Sequence, residues 1–99
     1  MKYLLIRKPR VGAAPPTAQM IRAQKQYVLG KLKEGIADCA YAFAGGGGCS
    51  IINADSPEKL NELLWGGPMA RFYEYDVRPL SDYASFMEGV AAAIERQTR

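Results

Sequence analysis

The chain of 99 residues contains no histidine. That absence removes the commonest general base, the commonest metal ligand and the usual proximal haem ligand together, so Ser-His and Cys-His catalysis are excluded. Cysteine is scarce: Cys39 and Cys49 stand alone, at no metal-ligand spacing, and a structural zinc site is not expected. Long apolar runs are missing too. The opening MKYLLIRKPR has a short apolar core that Arg7 interrupts, well below a signal peptide's hydrophobic region or a membrane span, so neither secretion nor membrane insertion is expected. There is no block of one charge sign and no low-complexity segment. The net charge of +3 favours anionic ligands but is too small and dispersed to mark a nucleic-acid binder. The chain therefore reads as one globular domain in the cytoplasm, with both thiols reduced.

The organising stretch is YAFAGGGGCSIINADSPEKLNELLWGGPMARFYEYDVRPL, residues 41–80. Two short runs rich in aromatic and β-branched residues flank four glycines at 45–48, which predicts a hairpin whose turn needs positive φ. A phosphate loop would instead lead from a strand into a helix and carry Lys-Ser or Lys-Thr. GGGGCSIINA also lacks the exposed aromatics of an RNA-binding strand. Folding about Gly46 and Gly47 places Cys49 opposite Phe43 or Ala44 and leaves Cys39 roughly 15 Å away at about 3.3 Å per residue. That separation is too long for a disulfide. After Asn53 the period changes: Ser56 caps a helix, Pro57 opens it, Leu60, Leu63 and Leu64 recur at helical spacing, and Gly66, Gly67 and Pro68 stop it. Residues 71–77 alternate and predict a further strand.

Before this stretch, residues 2–8 read as a strand with Leu4 and Ile6 on one face and Tyr3, Leu5 and Arg7 on the other. Prolines at 9, 15 and 16 break the chain before a helix over 17–34, with Gly35 as its stop. Met20, Ile21, Tyr27, Val28 and Leu32 share one side of that helix. Gln24 lies within the same sector and Lys25 at its margin, so both are expected to point toward the sheet. They imply a polar cavity there, or a Gln24 bond to a loop carbonyl with Lys25 extending to water. Residues 38–44 and 49–53 supply two strands. Ala40, Ala42 and Ala44 leave room for a close helix or for a pocket floor. After Leu80, Ser81 and Asp82 precede Tyr83, Phe86, Met87, Val90 and Ile94 on one face of a last helix. Its stripe needs a surface on its own or a neighbouring subunit.

The order βαββαβ predicts an α+β, ferredoxin-like domain over residues 1–80, a four-stranded antiparallel sheet with two helices on one face, and a helical extension over 81–99. Strands one and three carry apolar side chains on both faces. The uncovered face is thus expected to pack against a second copy, making a homo-oligomer in which Glu74 and Asp76 find Arg78 or a lysine as partner.

The chain resembles the muconolactone isomerase-like proteins of the dimeric α+β barrel superfamily. The likeness rests on Lys25-Gln26-Tyr27 with Gly35 ending the helix, on Ala44-Gly45, and on Asp55-Ser56-Pro57-Glu58 leading to Leu60, Leu63 and Leu64. It continues through Pro68-Met69, the acids Glu74 and Asp76 before Val77, and Pro79-Leu80. The resemblance implies a cofactor-free isomerase that shifts a double bond in a small lactone bearing a carboxylate, using a base, an oxyanion donor and a cation. The missing histidine sets the chain apart from haem-degrading relatives and from those pairing His with Asp. In the family an acid tends to precede the helix-one lysine, whereas here Gln24 holds that place and cannot accept a proton at neutral pH. The four-glycine turn and longer terminal helix also depart from the pattern. The expected catalytic pair is Lys25 with Gln24, and Arg7, Tyr27, Trp65 and Met69 are expected substrate contacts. No cofactor and no metal are expected. Trp65 and Met69 suit a core or subunit contact equally, Arg7 could instead pair with Glu74 or Asp76, and those two acids suit an ion pair. The competing readings are a non-catalytic oligomeric binding or scaffold protein that lost its base, and a cofactor-free monooxygenase or cyclase.

Overall fold

A computed structural model describes residues 1–98; Arg99, the last residue of the expected terminal extension, lies outside them. Strand β1 (Lys2–Pro9) is followed by α1 (Ala18–Lys33), β2 (Ala37–Ala42), β3 (Gly48–Asn53), α2 (Pro57–Trp65), β4 (Tyr73–Leu80) and α3 (Tyr83–Gln97). The sheet is antiparallel throughout, in the order β2-β3-β1-β4. This is the expected ferredoxin-like arrangement with a C-terminal helix.

Local chemistry sets the helix ends. Thr17 accepts a hydrogen bond from the Met20 amide at 3.2 Å and Ser56 one from the Lys59 amide at 3.2 Å, each satisfying a donor that a first turn would leave unpaired. Pro57 costs nothing at the first helical position, where no intrahelical bond is lost. Gly35, at φ +79°, ends α1 in the conformation that side-chain-bearing residues disfavour. Helix α2 ends at Trp65 with Gly66 as its C-cap, the expected stop, although neither Gly66 nor Gly67 has positive φ. A Cβ on Gly67 would meet the Gln24 amide oxygen at 3.2 Å, and one on Gly66 the Tyr27 hydroxyl at 3.1 Å. These glycines let α1 approach the end of α2.

Three strand expectations need correction. Residues 71 and 72 belong to a 3-10 turn (Ala70–Phe72), and β4 starts at Tyr73 and runs through Pro79 to Leu80. Pro79 is tolerated because β4 is an edge strand, where the missing N–H faces outward. Strand β2 spans Ala37–Ala42 rather than 38–44, with a register shift between Ala37 and Cys39. The hairpin turn is centred earlier than expected: Gly45, Gly46 and Gly47 all have positive φ, Gly48 begins β3, and Cys49 pairs with Tyr41. Cys39 pairs with Ile51, so it lies two residues along from Cys49, about 7 Å in strand rise rather than about 15 Å. Both cysteines are free and half-buried.

The register divides the sheet into two faces. Tyr3, Leu5, Ala37 and Ile52 face the helices and join Ala54 and Leu60 in the core, with Leu32, Leu63, Leu64 and Tyr75 packed around them. The other face has no cover. It presents Leu4, Ile6, Ile51, Cys39, Cys49 and the largely exposed Tyr41. Asp76 on this face pairs with Arg78 at 3.3 Å, as expected of the acid. At its margin Lys2, Asp38 and Asn53 bond to one another, and these bonds hold the Asp38 carboxyl below its usual pKa.

Helix α3 stands apart. Asp82 caps it by accepting from the Ser85 amide at 3.0 Å, yet the helix makes no extended contact with the rest of the chain. The radius of gyration is 17.1 Å, against about 13 Å for a compact chain of this length, and the longest axis is 62 Å.

Candidate functional site

Between α1, α2 and the sheet lies an inner cavity of about 60 Å³. Helix α1 contributes Gln24, Tyr27, Val28 and Lys31, spaced i, i+3, i+4, i+7, which is the stripe a helix turns toward a surface beneath it. The strands contribute Leu5 and Arg7 from β1, Ser50 and Ile52 from β3, and Tyr75 from β4, while Leu63, Leu64 and Gly67 close the α2 side.

Arg7 occupies a slot made by a glycine. A Cβ on Gly48 would collide with the Tyr41 carbonyl oxygen and lie 2.5 Å from an Arg7 guanidinium nitrogen, so only glycine leaves that space open. The guanidinium sits 5.9 Å from the centre of the Tyr73 ring, which is within cation-π range. Among the described residues Arg7 forms no ion pair. Glu74 and Asp76 lie on the opposite face of the sheet, so neither is its partner.

Gln24 is tethered. Its amide oxygen accepts from the Met69 N–H at 3.3 Å, and its amide NH2 is left as a donor. The Tyr27 hydroxyl donates to the Leu63 carbonyl at 2.6 Å, while Lys31 stands 5.1 Å from the Tyr27 ring centre and 3.6 Å from Glu34. Ser50, 6% exposed, is the buried polar residue of the sheet. Burial raises the pKa of the Tyr75 hydroxyl, with Tyr73 adding to the shift and Arg7 opposing it; Tyr75 is a neutral donor at physiological pH.

The inner cavity shares walls with two open clefts. Arg7, Gln24 and Val28 also line a broad, mainly apolar cleft of about 670 Å³, bounded by α1, β2 and the loop over residues 10–16. Tyr27, Lys31, Ile36 and Leu63 also line a more polar cleft of about 450 Å³ that includes Asp55, Lys59 and Glu62. No carboxylate among the described residues lines the inner cavity or the broad cleft. Among the described residues no group of three or more Cys, Asp or Glu is placed to hold a metal ion.

The expected site residues separate accordingly. Arg7, Gln24 and Tyr27 line the inner cavity. Lys25 is exposed on the lip of the broad cleft, because the inward stripe of α1 runs through Gln24 and Val28 and leaves Lys25 to one side. Met69 is 4% exposed, lines the broad cleft and bonds Gln24 through its backbone. Trp65 is 62% exposed and lines none of the three cavities. Lys31, Ser50 and Tyr75 were not among the expected residues.

No family profile and no curated protein matches the sequence. Solved structures do. The crystal structure of muconolactone isomerase superposes with a TM-score of 0.73 over 84% of this chain and 91% of that one, at 18% sequence identity. The fold is that of muconolactone isomerase. The 5-chloro-2-hydroxyhydroquinone dehydrochlorinase of Burkholderia phenoliruptrix AC1100, solved with 2,5-dihydroxybenzoquinone, aligns over 86% of this chain and 98% of its own, with a TM-score of 0.61 and 17% identity. The muconolactone isomerase likeness agrees with the resemblance seen in Lys25-Gln26-Tyr27, Ser56-Pro57 and Pro79-Leu80, and at this identity it establishes the α+β architecture alone. No helix among the described residues is long and apolar enough to cross a membrane.

Proposed function

We propose that the chain holds a small anionic oxygenated ring compound, a lactone or a hydroxylated ring, in the cleft between α1 and the sheet, and moves a proton on it without a cofactor, as an isomerase-like double-bond shift requires. The observation that carries this is Arg7. Its guanidinium is lodged on the helix-facing side of the sheet with no carboxylate partner among the described residues, and an anionic ligand would supply one. Tyr75 and the Gln24 amide can donate to an oxygen that gains charge as a proton passes from the neighbouring carbon to an acceptor in the broad cleft, the Lys25 amine in its uncharged form or a water molecule. The inner cavity is too small for a whole ring, so the ring would lie across Arg7 and Gln24, partly in the broad cleft. The similar structures support the substrate class, since one is of muconolactone isomerase and the other of a dehydrochlorinase with a dihydroxybenzoquinone bound.

A second reading has its own support. Proton removal from carbon needs a base, and among the described residues neither imidazole nor carboxylate lines the inner cavity or the broad cleft, which favours binding without turnover. Ultraviolet spectroscopy separates the two. The isomerase reading expects muconolactone to be consumed; binding alone leaves its spectrum constant while calorimetry reports heat with muconolactone or 2,5-dihydroxybenzoquinone. Replacing Gln24 by Glu supplies a carboxylate at the cavity and is expected to create or raise turnover. Arg7→Met should weaken binding of either compound by about 10- to 100-fold, the worth of a charged hydrogen-bond partner. No heat with either compound at millimolar concentration, or equal affinity in Arg7→Met, overturns both readings.

The uncovered sheet face supports a second proposal, that two copies pack these faces together in a homo-oligomer. Leu4, Ile6, Ile51, Cys39 and Cys49, each partly exposed, and the largely exposed Tyr41 share this face, and a second copy would remove that apolar surface from water.

A further inference from the structure

Helix α3 carries Tyr83, Phe86, Met87, Val90 and Ile94 within one sector of its circumference, and these side chains are 39 to 75% exposed. A stripe of this kind is stable in water only when something covers it. Its own subunit does not. Helix α3 leaves β4 at Leu80, which pairs with Lys2, whereas the broad apolar cleft lies at the other end of β1, beside Arg7 and Pro9. Only Ser81 and Asp82 connect β4 to α3, so the helix is carried away from that cleft.

We infer that α3 docks into the broad cleft of a second copy of this chain, over Ile21 and Leu29 of that copy's α1. Three observations fit the two surfaces to each other. The cleft is walled by Ala13, Ala14, Ala40 and Ala42, whose small side chains leave room for the large ones of α3. Ile21 and Leu29, 52% and 48% exposed, are apolar groups of α1 that its own sheet leaves uncovered. The charged side chains lining the cleft are Arg7, Arg10 and Lys25, all cationic, while residues 82–97 carry Asp82, Glu88 and Glu95 against Arg96, so the arm as a whole is acidic although these groups lie outside its apolar stripe. The area is sufficient. Five half-exposed side chains bury on the order of 500 Å² per arm and as much of the cleft, so a reciprocal exchange covers on the order of 2,000 Å², above the usual 1,600 Å² or so of a stable interface. In this arrangement α3 roofs the broad cleft that Arg7 and Gln24 line.

Cross-linking tests the inference without reference to any ligand. In a Cys39→Ser, Cys49→Ser background, a Leu29→Cys protein and a Phe86→Cys protein are mixed and treated with a short bis-maleimide. The expected product is a linked pair containing one of each, identified by mass spectrometry. A Phe86-to-Phe86 product alone would mean that arm pairs with arm, and overturns the assignment. So does the absence of any linked species. Met87→Lys in the full chain is expected to reduce the mass measured by sedimentation and to abolish the Leu29–Phe86 link while leaving the far-ultraviolet circular dichroism of the sheet domain intact; an unchanged mass and an unchanged link overturn it. Because these readouts are independent of ligand, a failure to bind 2,5-dihydroxybenzoquinone would refute the functional reading and leave this result standing.

Discussion

Arg7 and Gly48 form a pair in which each explains the other. The guanidinium has its place because position 48 has no side chain, and the stacking on Tyr73 then holds it beside the cavity. Gly48→Ala forces its Cβ against the Tyr41 carbonyl and the Arg7 guanidinium, so the hairpin and the anion anchor are disturbed together. The expected cost is about 1–3 kcal/mol in a denaturant titration, accompanied by weaker ligand binding. Tyr75 gives a prediction in pH. Its raised pKa means that the folded protein holds the phenolic proton more tightly than the unfolded chain does. The stability it contributes is complete below the ordinary phenol value of 10.0 and is lost as pH rises through the folded value. Alkaline denaturation profiles should therefore show the wild type losing stability above about pH 10, with Tyr75→Phe losing less.

At the scale of elements, the capped helices were the most legible features in the sequence, because Ser56 and Asp82 each precede an apolar periodicity and each accepts a capping backbone bond, while Thr17, read as the first helical residue, caps α1 instead. Ser56→Ala should cost about 1 kcal/mol, since α2 anchors Leu60 in the core, and thermal denaturation would read it as a lower midpoint. The hairpin register was harder to read. Four consecutive glycines offer no side chain to mark which three turn, and the choice of Gly45, Gly46 and Gly47 is expressed only through the pairing of Tyr41 with Cys49. Residues 71 and 72 continue the aromatic alternation of β4, and nothing in that pattern reveals the tight turn formed by the Phe72 amide donating to the Met69 carbonyl at 3.0 Å. The candidate site was half visible. Gln24 and Tyr27 followed from helical spacing, and the same spacing extended to Lys31 would have found the cavity-lining cation in place of Lys25. Ser50 alternates with Ile52 on the helix-facing side of β3, a signal present in the strand pattern. No local pattern marks the slot beside Gly48, because it depends on β1, β2 and β3 lying side by side.

For the whole molecule, the distribution of apolar surface decides what the single chain can be. One helical layer covers one face of the sheet, and among the described residues the face with Leu4, Ile6 and Ile51 is left uncovered. Ile51→Lys places a charge in the middle of that face and, combined with Met87→Lys to release the α3 arm, is expected to lower the sedimentation mass toward that of one chain, because an unpaired ammonium would have to be dehydrated for the faces to meet. An unchanged mass would show that the sheets do not pack against each other. The same sheet has two free margins, β2 and β4, and Pro79 lies near the end of the second. A proline there withholds the donor that an incoming strand would need, so lateral addition of further strands is interrupted at the level of Tyr3. Endless strand-by-strand growth, the geometry of a fibre, is thereby disfavoured at the β4 margin.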